Sequence, residues 1–105
     1  MIARIWHGKT TVAKADAYME EYFLQTGLAD YQGTKGNLGV LVLRKDEDGQ
    51  ADFLMLTLWE SEDAIRKFAG EDINSARYYP EDTKYFAELE PNVVHYDVLI
   101  NYLKP

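Results

Sequence analysis

Residues Ala51–Gly70 read ADFLMLTLWESEDAIRKFAG, and two structural periods meet inside them. Phe53 to Trp59 is an apolar run of strand length. After Glu60 the apolar residues recur at Ala64, Ile65, Phe68 and Ala69, the spacing of an amphipathic helix. Ser61 supplies an N-cap oxygen, Glu62 and Asp63 set negative charge in the first turn, and Gly70 stops the helix. A strand therefore passes into a helix with almost no loop.

Upstream, Asn37 to Arg44 (NLGVLVLR) forms a second apolar strand, joined by the charged segment Lys45–Gln50 with Asp48-Gly49 at a hairpin tip. Both strands are apolar on both faces, so both faces need cover. Ile2 to His7 alternates, with Ile2, Arg4 and Trp6 on one face and Ala3, Ile5 and His7 on the other. Gly8 is expected to end this strand, and Thr10-Thr11 to cap the helix after it. From Ala13 to Gly27 the residues Ala15, Tyr18, Met19, Tyr22 and Thr26 recur at helical spacing, with Gly27 as expected C-cap and a loop to Gly36. Downstream, a short helical piece is expected at Ile73–Tyr78 and another from Pro80 to Leu89. A last strand alternates from Asn92 to Leu103.

The order β-α-β-β-α(α)-β over residues 1–105 predicts one α+β domain of ferredoxin-like βαββαβ type, with a four-stranded antiparallel sheet. Helices on one sheet face leave the other bare and apolar, which predicts a homodimer through the sheet face.

Composition bounds the function. Lys plus Arg total 11 against 18 Asp plus Glu, a net charge of −7 that repels nucleic acid and anionic membranes. The chain has no Cys, which removes disulfides, thiolate nucleophiles and cysteine metal sites. The opening MIARIWHGKT has no basic leader and apolar stretch, and no run approaches the ~20 residues of a membrane span, so a cytoplasmic protein is expected. Gly33-x-x-Gly36-x-x-Gly39 leads into a strand without a Lys-Ser/Thr ending and is no phosphate loop.

Two histidines titrate near neutral pH. His95 shares a strand face with Asp97, as an acid-supported base does and as inert surface pairs also do. Two histidines on separate strands make no metal site, and none is predicted. Trp6 and Trp59 read as packing, with Trp59 closing the end of a core. Tyr78, Tyr79, Tyr85, Tyr96 and Tyr102 form either a set of surface tyrosines or the wall of an aromatic pocket, with Arg77–Asp82 as its rim.

The element order, the phrase FLMLTLWESEDAIRKFAG and the closing VVHYDVLINYL together resemble the antibiotic biosynthesis monooxygenase-like family across nearly the whole chain. The resemblance implies a dimeric α+β barrel with a pocket between sheet and helices in each protomer. It implies chemistry ranging from oxygenation of polyketide phenols to haem degradation. The haem-degrading branch uses an Asn on the first strand, a Trp on the helix and a His beyond it. Those positions fall here on His7, Phe68 and Tyr78. The expectation is therefore a small monooxygenase acting with molecular oxygen and no cofactor on an aromatic, quinol-type or enolisable molecule. His7 would be base or orienting donor, with Trp59, Phe68, Tyr78 and His95 against the substrate. Two alternatives stand beside it. One is a haem-binding or haem-modifying protein ligated through His7 or Tyr78. The other is a dimeric binding or stress-response module without turnover.

Overall fold

The computed structural model describes residues 1–104. Strand β1 (Ile2–Thr11) leads into α1 (Val12–Ala17), a π-helical segment (Tyr18–Gly27) and α2 (Leu28–Gly33). Then come β2 (Asn37–Glu47), β3 (Gln50–Trp59), α3 (Glu62–Ala69), a 3₁₀ turn (Pro80–Lys84) and β4 (Val94–Asp97). All strand pairs are antiparallel and the sheet order is β2-β3-β1-β4, the ferredoxin-like arrangement. No helix among the described residues is long and apolar enough to cross a membrane.

Period-2 alternation divides the sheet cleanly. Ala51, Phe53, Met55, Thr57 and Trp59 of β3 are buried beneath the helices, as are Arg4, Trp6 and Thr10 of β1. The opposite face carries Ile5, Leu41, Leu43, Leu54, Leu56, Val94 and Tyr96 in register, and most of these are exposed. At the β2–β3 hairpin Asp48 and Gly49 take φ of 53° and 77°, the left-handed pair that a tight two-residue turn requires. The Ser61 side chain accepts from the Ala64 N–H at 3.1 Å and caps α3 as its sequence predicts.

Several boundaries differ from the sequence reading. β1 does not stop at Gly8, which pairs with Phe53, and the ladder continues to Thr11 opposite Gln50. Gly8 serves a different purpose: a Cβ there would lie 2.1 Å from the Trp6 indole, which folds back across it. Gly27 does not cap a helix. Its φ of −60° and ψ of −47° are helical, and the chain runs on through α2 to Gly33. Ile73–Tyr78 forms no helix, and only one 3₁₀ turn follows Pro80.

The last strand is cut to four residues. The antiparallel register places Asp97 opposite Ile2, and the Val98 N–H reaches the Met1 carbonyl at 3.0 Å. The described pairing with β1 ends there. Leu99, Ile100, Tyr102 and Leu103 consequently stand 74–91 % exposed.

Gly8→Val is expected to drive the Trp6 indole out of its seat and to lower stability by about 1–3 kcal/mol, the usual cost of overpacking. Urea unfolding followed by tryptophan emission reads both effects; a native-like midpoint and spectrum would refute it.

Candidate functional site

The site begins with the width of the long helix. In the π-helical segment the backbone bonds reach five residues back, as where the Leu28 N–H meets the Phe23 carbonyl. Side chains four and five residues apart then share a face, and Tyr18, Tyr22, Phe23 and Gly27 all turn inward. Phe23 also satisfies the ordinary helical spacing from Ala15 and Met19, but the sequence reading left it out of the stripe. These residues cover β1 and β3 and, with the segment after α3, enclose a cavity of about 40 Å³.

Aromatic rings make the walls. Tyr31 stacks on Phe68 with centroids 4.4 Å apart, and the Trp6 indole N–H donates to the Tyr78 hydroxyl at 2.8 Å. Tyr78 in turn donates to the Glu90 carbonyl. Burial raises the pKa of Tyr18, Tyr78 and Tyr79, and pushes Tyr22 and Tyr31 up to about 12, so these hydroxyls stay protonated. The buried Tyr22 hydroxyl has no hydrogen-bond partner among the described residues.

Three charged side chains reach this lining. Arg77 spans the Phe68 and Tyr79 rings at 4.8 and 4.9 Å and pairs with Asp30 at 3.5 Å. Asp82 is buried, accepts from the Tyr79 N–H at 2.7 Å, and has its pKa raised by burial. Arg4 is 3 % exposed, and burial lowers its pKa. Arg4, Tyr22 and Asp82 were not foreseen as site residues. For Arg4 a signal existed, since an arginine between Ile2 and Trp6 on the inward face of a strand breaks the apolar pattern.

The expected site residues are not brought together. Phe68 and Tyr78 line the cavity. Trp59 lies one layer behind, its ring 5.6 Å from Phe68 and its indole N–H donating to Thr57 Oγ1 at 2.8 Å. His95 turns to the cavity side of the sheet but finds Arg4 rather than Asp97, with Nε2 at 3.2 Å from Arg4 Nη1. Burial, and then the Arg4 charge, lower its pKa. His7 is an odd-numbered residue of β1 and so projects from the opposite face. There its Nδ1 meets Glu90 Oε1 at 2.7 Å and its Nε2 meets Asp52 Oδ1 at 2.8 Å. A shallow hollow of about 320 Å³ lies beside it, between Leu43, Lys45 and Leu54.

Three solved structures are similar over almost the full chain. One is the haem-degrader MhuD from Mycobacterium tuberculosis with two haems in its active site, at a TM-score of 0.61 and 19 % identity, covering 97 % of this chain and 99 % of that one. A MhuD point mutant with two manganese protoporphyrin IX per active site gives a TM-score of 0.63 and 18 % identity, covering 99 % of this chain and 100 % of that one. A Bacillus cereus protein assigned to the antibiotic biosynthesis monooxygenases gives 0.61 and 16 % identity, covering 98 % of this chain and 97 % of that one.

The chain has the antibiotic biosynthesis monooxygenase-like fold. No protein-family model and no curated protein matches its sequence. At these identities the likeness is one of fold.

These structures correct the expectation of a site without a cofactor, because MhuD, a protein of this monooxygenase-like fold, holds a porphyrin in its active site in both of its structures. The residues here do not fit a porphyrin bound through a histidine. Among the described residues no histidine lines the cavity, and the Tyr78 hydroxyl already bridges Trp6 and Glu90.

The His7 cluster carries a pH signature. Its two carboxylates, Glu90 first, raise its pKa above the ordinary 6.5. A raised folded-state value gives stability that is full below the unfolded pKa and is lost as pH rises through the folded one. The stability advantage of wild type over His7→Gln is thus expected to shrink as pH rises from about 6 to about 9. Urea titrations across that range check it, and a constant difference would refute the ion pairing.

Proposed function

We propose that this chain is an oxygenase for a small, planar, electron-rich aromatic or enolisable molecule, held between the sheet and the π-helical segment. The observation that carries this reading is the unpartnered Tyr22 hydroxyl, buried in an aromatic-walled cavity. A buried hydroxyl without a partner costs about 1–3 kcal/mol, and a ligand oxygen would recover it.

The roles follow from chemistry and position. Phe68, Tyr31 and Trp6 stack on a flat ring and exclude water. Asp82, whose raised pKa suits proton exchange nearer neutrality, accepts the substrate proton. Tyrosine hydroxyls that remain protonated donate to the oxyanion that develops. The cavity as it stands holds little more than a water, and binding requires the Tyr78–Trp6 contact to yield.

The bare sheet face takes a second copy of the chain in this reading. Leu41, Leu43, Leu54, Val94 and Tyr96 stand exposed together on one sheet face, the kind of apolar row that marks an interaction surface. Leu41→Glu with Leu54→Glu is expected to halve the mass seen by sedimentation equilibrium, from twice 12.1 kDa to one chain. A wild type that already sediments as one chain would refute the dimer.

Tyr22→Phe tests the site. Removing a hydroxyl that satisfies nothing is expected to leave stability unchanged or raised by about 1 kcal/mol, while kcat/KM for oxygen uptake with a hydroxyanthrone or quinol falls about tenfold. Haemin titration in parallel, read by its Soret band, separates a porphyrin ligand from a small aromatic. The reading fails if wild type consumes no oxygen with such substrates, or if Tyr22→Phe matches it.

A further inference from the structure

Arg4 is a buried cation without a counter-charge. The residue is 3 % exposed, yet no carboxylate lies within 4.0 Å of its guanidinium among the described residues. Its bonds go to neutral groups: Nη1 to the Ile73 carbonyl and to His95 Nε2 at 3.2 Å, and Nη2 to the Ser75 carbonyl at 3.0 Å. Those contacts tie the segment after α3 to the sheet without neutralising the charge. The neighbouring Arg77 shows the contrast, since it lines the same cavity and is paired with Asp30. The carboxyl of Asp82, also in the lining, is not within ion-pair distance of Arg4. Unpaired buried charge is among the costliest features a fold can carry, and a fold that only needed to brace two carbonyls could use a neutral amide.

The geometry points to an anion as the missing partner: the molecule bound in this cavity carries a carboxylate or phenolate-type oxygen, and Arg4 receives it. The inference rests on the cavity being the ligand site. It narrows the ligand from flat aromatics in general to aromatic oxyanions, and it gives Arg4 a binding role. A planar guanidinium suits the task, because it engages two oxygens of a carboxylate at once and remains charged when buried.

A matched pair of probes tests it: 2-naphthoate and its neutral isostere 2-naphthamide, titrated against the whole chain with Trp6 emission and calorimetry as readouts. Wild type is expected to bind the acid at least tenfold more tightly than the amide. Arg4→Met should bring the two within about twofold, and Arg4→Lys should retain much of the preference. Circular dichroism establishes that each variant is folded; should Arg4→Met fail to fold, the ratio in wild type decides alone. Equal binding of acid and amide by wild type overturns the anion role and leaves the aromatic cavity standing. If neither probe binds wild type, the cavity is not a ligand site, and the anion role falls with it.

Discussion

Strand β3 is the member on which the molecule depends, because it is interior to the sheet and its two faces meet two different demands. Phe53, Met55 and Trp59 go under the helices, where Phe53 and Trp59 are almost wholly buried. Full burial of a large apolar side chain is worth roughly 1.5–3 kcal/mol. Leu54, Leu56 and Leu58 go to the opposite face in the same stretch. A slip of one residue would exchange the two sets and put Asp52 into the core. The hairpin at Asp48-Gly49 on one side and the ten-residue ladder to β1 on the other fix that register. Since β1 is locked to β3, the same registration decides which residues of β1 reach the cavity.

The helix layer answers this sheet with rings. Tyr18 packs against Tyr22, Phe23, Phe53, Tyr85 and Phe86, with centroids between 4.9 and 6.0 Å. Such contacts add about 0.5–1.5 kcal/mol each beyond area burial. The wide turns bring both Tyr22 and Phe23 inward, and Gly27 lacks the Cβ that would otherwise stand 2.8 Å from the Phe23 ring. A π-helical stretch gives poorer backbone geometry than an α-helix, and this one sits against the candidate site, where such departures concentrate.

Short-range rules account for the features that were legible in the chain. Strand alternation placed Trp6 and Arg4 on one face and His7 on the other, and the Ser61 cap and Asp48-Gly49 turn came from local chemistry. The π-helical segment was not legible, because its apolar residues also satisfy an α-helical period and Gly27 satisfies a C-cap rule. The length of β4 was not legible either. The alternation from Val94 to Tyr102 is real, but a strand needs a neighbour, and the register with β1 pairs only Val94 to Asp97. The site was only half visible. Phe68 and Tyr78 came from resemblance; Arg4 left a mark as a charge on the inward face of a strand, whereas Tyr22 is recognisable only once burial shows its hydroxyl without a partner among the described residues.

The sheet also divides the chemistry of the molecule. His7 carries the acid-supported imidazole that looks most like a catalytic group, but a β-sheet stands between it and the aromatic cavity, and its carboxylates favour the charged form. With one ring nitrogen on Asp52 and the other on Glu90, the imidazole has no nitrogen free for a substrate and serves instead to anchor a loop. Glu90 belongs to the same segment as Tyr78's acceptor carbonyl, so the His7 clamp and the Tyr78–Trp6 contact hold one loop from opposite faces of the sheet. His7 therefore bears on the cavity only through the loop it holds, and in the proposed reading binding and proton transfer fall to the groups inside: Asp82, the tyrosine hydroxyls and the uncompensated charge of Arg4.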